Sequence, residues 1–212
     1  MTADIIPMEV ASKPAKESRP WMLLSSGKAF DLLQQDHRQV DIRDIANHLA
    51  KTTRFGGATR REYFYSVAQH SVHVAEALKK HPPLVQLLGL LHDAHEAYIG
   101  DQITPCKKVF EGFDVYNARA DIETVIQRTI HRALRLPERP SQHFLDLIQV
   151  ADMAVLATEV RDICADSERT WTTLTEPPLK KPIVPWTWQR AEEKFLQKFN
   201  DLSVAAATNI GA

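Results

Sequence analysis

Residues 87–101 read LLGLLHDAHEAYIGD. The preceding Leu84 and Val85 and the leucines at 87, 88, 90 and 91 wrap right around a helical cylinder, the pattern of a central, fully buried helix of about 84–98. Yet the run opens at His92-Asp93 and then admits His95, Glu96 and Asp101. Buried ionisable groups must be paired, neutralised or bound to a metal. The partners of this group therefore have to come from elsewhere in the chain.

Helical phase identifies them. In a helix over 66–80, His70 falls in register with Val67, Val74, Ala77 and Leu78 and points inward. His73 shares its face with Ser66, Gln69, Glu76 and Lys80 and points to water. In a helix over 141–165, Asp152 lies on the apolar side with Ile148, Val155 and Leu156, where a carboxylate needs a cationic partner. One of the 26 basic residues would serve Asp152, and a lone interior histidine is more often a hydrogen-bonded core residue than a ligand. As a group, however, His70, His92, Asp93 and Asp152 on three helices compose a mixed nitrogen and oxygen shell. That shell suits Zn, Mn, Co, Ni or Fe.

The rest of the chain frames a helical protein. Its 212 residues are 44% hydrophobic, enough for one well-buried domain, and glycine is scarce with few strictly alternating segments. Asp41 is placed as an N-cap before Ile42, Ile45 and Leu49. The stretch 21–33 holds a short hairpin around Ser26-Gly27, and Pro82-Pro83 separates two helices. A helix near 114–136 carries Val115, Ala118, Ile122, Val125, Ile126 and Leu134 on one face, closed by Pro137 and Pro140. A last helix covers about 187–200. The expectation is a single all-α domain over 21–200, with flexible tails at 1–20 and 201–212. Basic and acidic residues nearly cancel, which argues against coating a nucleic-acid polymer but not against a small phosphorylated ligand. Cys106 and Cys164 match neither a disulfide framework nor a metal knuckle, and no signal peptide or membrane span is legible. These features point to a cytoplasmic protein.

Competing motifs fail. His95-Glu96 is not followed by the second histidine of H-E-x-x-H, and 92–96 has the wrong order for the inverted form. Phosphate-cradling and dinucleotide glycine loops are missing, as is a nucleophile elbow. The order His70, His92-Asp93, Asp152 instead resembles the HD-domain phosphohydrolase superfamily. SVAQHS, LLHDAHEAYIGD, TPCK and VADMAVLATE look like its branch of bacterial 5′-deoxynucleotidases and related phage deoxynucleotide triphosphohydrolases. The likeness spans about residues 40–165.

The resemblance implies an HD-type helical bundle with the metal between its helices. By position, His70, His92, Asp93 and Asp152 would bind one divalent ion, with a second ion left open. Glu96 and Asp101 would be the acid/base carboxylates, and Arg54-Phe55 would contact a nucleotide. Homo-oligomers are implied as well. The chemistry expected is hydrolysis of (deoxy)nucleoside 5′-monophosphates, in which a metal acidifies water and a cation holds the phosphoryl oxygens. Arg54 is the first choice for that cation, with Lys107 or Arg60 as alternatives. A deoxynucleoside triphosphate triphosphohydrolase, a non-catalytic nucleotide sensor and a purely structural helical module are the competing readings. His95 has either a substrate or second-metal role, or a packing role.

Overall fold

The computed structural model describes residues 19–111 and 114–209. Eight helices and one two-stranded hairpin make up its regular elements, so the chain is mostly helical, as expected. The hairpin pairs β1 (Trp21–Leu23) with β2 (Ala29–Asp31) in antiparallel register. Its turn uses Gly27 at φ 81°, a left-handed conformation that favours glycine. Buried Asp44 accepts hydrogen bonds from Ser25 Oγ, Ser26 N and Ser26 Oγ, which fastens the hairpin to α1 (Ile42–Lys51). Asp41 caps α1 by accepting from Arg43 N, as its position before an apolar-periodic run predicts.

The centre is built from α2 (Val67–Ala77) and α3 (Pro83–Leu90). Helix α7 (Gln142–Asp162) packs on both, and α8 (Trp188–Asn209) runs across α1, α2 and α3. Gly89 permits the close approach of α2 and α3, because a Cβ there would lie 2.4 Å from Leu78 Cδ1. Pro83 occupies the first turn of α3, where its missing N–H costs nothing. Ser141 caps α7 by accepting from Phe144 N.

Four expectations are corrected. The helix expected over about 84–98 is broken: α3 stops at Leu90, residues 91–95 form turns, and α4 (Glu96–Ile99) follows. His92 Nδ1 donates to Gly89 O at 2.8 Å, taking the carbonyl that the Asp93 N–H would use in a continuous α-helix. The chain instead tightens into short-range bonds, with Ala94 N to Leu91 O and Glu96 N to Asp93 O. The last helix does not end near 200 but continues to Asn209, burying Leu202 and Ala206 in the core. On α6 (Asp114–Ala133), Ile126 is buried, and Ile122 and, just past its end, Leu134 pack on the core as expected, but Ala118 is exposed and Val125 is 44% exposed, and Ile130 takes a place in the buried face. The side chain of Val115, the N-terminal tail up to residue 18 and residues 210–212 lie outside what the structure describes.

The fourth correction concerns α2, which has no water face over its first two turns. Gln69 is fully buried: its Nε2 donates to Val184 O and its Oε1 accepts from Trp186 N, both at 2.8 Å. The segment before α8 thus covers that side. His73 is consequently half-buried, stacked against Trp186 at 5.2 Å, rather than turned to solvent.

Candidate metal centre

Helix α2 supplies His70, the turn after α3 supplies His92 and Asp93, and α7 supplies Asp152. Their polar atoms converge. His70 Nε2 lies 3.1 Å from Asp152 Oδ1 and 3.7 Å from Asp93 Oδ2. His92 Nε2 lies 3.1 Å from Asp93 Oδ2 and 3.9 Å from Asp152 Oδ1. The two Nε2 atoms face each other at 3.4 Å. Ligand atoms bound about 2.1 Å from one ion stand roughly 3.0–3.4 Å apart at neighbouring tetrahedral or octahedral positions. Three of the five separations fall in that range and two are longer. His70, His92 and Asp93 form the tight set, with ligand atoms all within 4.8 Å of one another, and Asp152 stands at its edge beside the two imidazoles.

Tautomers sharpen the test. His92 Nδ1 faces the Gly89 carbonyl, an obligate acceptor, so that nitrogen carries the proton. His70 Nδ1 donates in the same way to Glu159 Oε1 at 2.7 Å. As neutral imidazoles, both rings would therefore turn bare Nε2 lone pairs toward two carboxylates. A cation relieves that collision, and locking the distal N–H is how proteins orient metal-binding histidines.

Charge supports the same conclusion. Burial would raise Glu159, but Arg54 and His70 outweigh it and hold the carboxyl below its usual range. Burial opposes ionisation of Asp93 and Asp152 too, yet the neighbouring imidazoles, protonated in the metal-free protein, hold both low. Three carboxylates against the Arg54 guanidinium leave two negative charges for a divalent ion to offset. Without metal, protons take its place. Burial works against a charged His92, but Asp93 and Asp152 push its pKa up to about 9.

Access is one-sided. His70 and Glu159 are 0% exposed, whereas the side chains of Asp93 and Asp152 are 18% and 26% exposed. The cluster thus has a dry back and a wet front.

The remaining candidates gather unevenly around it. Arg54 is bound by Glu159 Oε2 at 3.1 Å and lies 3.7 Å from Asp93 Oδ2. The loop carrying it is pinned by Arg54 N to Tyr65 O and by Arg60 N to Ile163 O. Phe55 adopts φ 58°, a left-handed conformation costly for a bulky residue, and its ring packs edge-on to Trp171 at 6.1 Å. The Phe55 ring also lies 5.3 Å from the Arg54 guanidinium, so the pair holds together. Glu96 is buried with Oε2 unpartnered, and burial together with Asp93 and Asp101 pushes its carboxyl up to about 9. Asp101 is raised as well, mainly by burial, and it follows Gly100 at φ 74°. Lys107, on α5 (Thr104–Phe110), acts electrostatically on Asp101 and His95, but its ammonium makes no hydrogen bond among the described residues. Arg60 points elsewhere, toward the Arg161 carbonyl.

Glu159, which binds both His70 and Arg54, is the candidate site residue that sequence reading missed. It lies seven residues after Asp152, two helical turns along the same buried face of α7, and that spacing was the available signal.

Comparison with known proteins places the chain among relatives. No protein-family model matches it. It is 32% identical over 154 residues to an uncharacterized protein of Rhodobacter capsulatus, covering 71% of this chain and 76% of that one. It is 32% identical over 180 residues to the uncharacterized protein YfdR of Escherichia coli, covering 84% of this chain and 93% of YfdR. Among the described residues no helix is long and apolar enough to cross a membrane. With most of both sequences aligned at that identity, the chain belongs to the same protein family as YfdR.

Proposed function

We propose that this protein is a metal-dependent phosphohydrolase of the HD-domain superfamily that removes phosphate from (deoxy)nucleoside 5′-monophosphates. The observation that carries the reading is the convergence of the His70 and His92 Nε2 lone pairs with the Asp93 and Asp152 carboxylates. These four side chains would hold the ion. A divalent metal there supplies Lewis-acid charge and lowers the pKa of water in its reach.

The chain's own groups complete the chemistry. Arg54, fixed by Glu159 beside Asp93, adds a permanent positive charge where phosphoryl oxygens need one. Glu96, held protonated by burial beside Asp93 and Asp101, has a proton to give to a departing ester oxygen. Asp101 is the second carboxyl at the site and serves to orient water. Glu159 acts through His70 and Arg54 as a positioning residue.

Incubating metal-replete protein with dAMP and with dATP, then identifying the products, tests the reading. Inorganic phosphate from dAMP, abolished by a chelator and restored by divalent metal, is expected. Tripolyphosphate from dATP, or no release from either, overturns it.

A further inference from the structure

Beside the metal cluster lies a cleft of 540 Å³, formed by the turn after α3 together with α6 and α7. Leu88, Leu145 and Ile148 give it an apolar wall, and His92, His95 and Gln127 line it beside the cluster. Charged Glu123, Arg128, Glu138 and Arg139 line it as well. His92 belongs to both cluster and cleft, so whatever fills the cleft sits next to the metal ligands. The volume falls in the range of small-molecule pockets, about 300–1,000 Å³.

Hydrogen bonds fix the chemistry that His95 offers there. Gln127 Nε2 donates to the Leu91 carbonyl at 2.7 Å, and Gln127 Oε1 accepts from the His95 backbone N–H at 3.2 Å. Each end of the amide thus meets a backbone group of fixed polarity, which leaves one orientation. His95 Nδ1 lies 3.2 Å from that same Oε1 and must therefore carry the proton. The other end agrees. Gln127 Nε2 also donates to His131 Nε2 at 2.9 Å, and His131 Nδ1 donates to the Pro137 carbonyl at 2.8 Å. His95 Nε2 is left as a bare acceptor with no partner among the described residues.

We propose that this cleft seats the nucleoside that departs with the ester oxygen, and that His95 Nε2 accepts a hydrogen bond from one of its hydroxyl or amino groups. The inference rests on the phosphohydrolase reading and adds the seat of the leaving group and a residue that selects it. The leucine and isoleucine lining suits the face of a base, whereas a fixed acceptor penalises any leaving group without a donor.

The test uses metal-loaded full chain with dAMP and with p-nitrophenyl phosphate, whose aromatic leaving group has no donor. His95→Ala should lower the ratio of kcat/KM for dAMP to that for p-nitrophenyl phosphate by about 10- to 100-fold, the worth of leaving one buried partner unsatisfied. His95→Gln, which keeps an acceptor near the Nε2 position, should recover part of the loss. An unchanged ratio overturns the proposal. Leu145→Trp narrows the cleft from a 42% exposed position outside the hydrogen-bond chain and should raise KM for dAMP. A KM unaffected by Leu145→Trp removes the cleft from substrate binding. Calorimetric titration with dAMP separates the two layers. Binding that His95→Ala weakens, in protein that hydrolyses nothing, keeps the cleft and overturns the hydrolase. Hydrolysis indifferent to both variants does the reverse, and absence of both binding and hydrolysis overturns both.

Discussion

The Nε2 atoms of His70 and His92 face each other at 3.4 Å while each ring's Nδ1 is already engaged, by Glu159 and by the Gly89 carbonyl. Only protons or a cation resolve that arrangement. His92→Ala and Asp93→Asn should each strip divalent metal from the purified protein, read by elemental analysis, with helical circular dichroism retained. Phosphate release should fall by at least about 100-fold. Full metal content in both variants would falsify the assignment.

Glu159→Gln tests how the cluster is held. It removes the charge that binds Arg54 at 3.1 Å and replaces the acceptor fixing the His70 tautomer at 2.7 Å. Metal affinity, measured by competition with a chelator, should drop about 10- to 100-fold. Leaving Arg54 without its buried partner should also cost about 3–5 kcal/mol of stability in denaturant titrations. An unchanged metal affinity would confine Glu159 to a purely structural role.

How far the site was legible follows from the same residues. Helical phase alone turns His70 inward among valines and sets Asp152 on an apolar face. Glu159 shares that face, but nothing in sequence shows that Arg54, 105 residues away, closes on it. The break after Leu90 was hidden for a related reason. Periodicity registers a leucine-rich helix, whereas the event that stops it is a side-chain bond from His92 to a carbonyl. Gln69 and His73 were misjudged because phase reports a helix's faces and not what covers them. The segment through Val184 and Trp186 arrives from more than a hundred residues downstream.

Metal and protons should compete, with a definite sign. In metal-free protein His92 is pushed up to about 9, and His70 is raised too, above an unfolded imidazole near 6.5. Such groups stabilise the fold fully below about pH 6.5 and lose that contribution as pH rises through the folded value. Glu96, raised to about 9 from near 4.5, acts in the same direction. The metal-free protein should therefore begin to lose thermal stability above about pH 4.5 through Glu96 and lose it more steeply between about 6.5 and 9, and saturating divalent metal should flatten most of the steeper part. Metal uptake at pH 7 should release protons, seen as a calorimetric enthalpy that changes with the buffer's ionisation heat. A buffer-independent enthalpy would contradict the competition.

Glu96→Gln separates proton transfer from metal binding. The carboxyl is buried with Oε2 unpartnered, and burial and the nearby carboxylates make its ionised form costly. Glutamine keeps the shape but has no acidic proton to give. Metal content should stay at the wild-type level while kcat falls about 10²- to 10⁴-fold. The metal-free variant should also lose less stability than wild type as pH rises above 6.5, because one of the titrating groups is gone. Loss of metal together with activity would make Glu96 a ligand rather than an acid.

Gly89 links core packing to the centre. A Cβ at this position would sit 2.4 Å from Leu78 Cδ1 and 3.5 Å from Val74 Cγ1, so Gly89→Ala forces either the Leu78 side chain to turn away or α3 to move off the helix that carries His70. Leu78 is only 2% exposed and has little room to retreat. The Gly89 carbonyl also fixes His92, so the same shift disturbs both imidazoles of the cluster. Gly89→Ala should cost about 1–3 kcal/mol in denaturant titrations and weaken metal binding. Leu78→Val in that background removes the clashing carbon, so the double variant should be more stable than the sum of the two single losses predicts. Strictly additive losses would show that the α2–α3 contact at Gly89 does not set the spacing of His70 and His92.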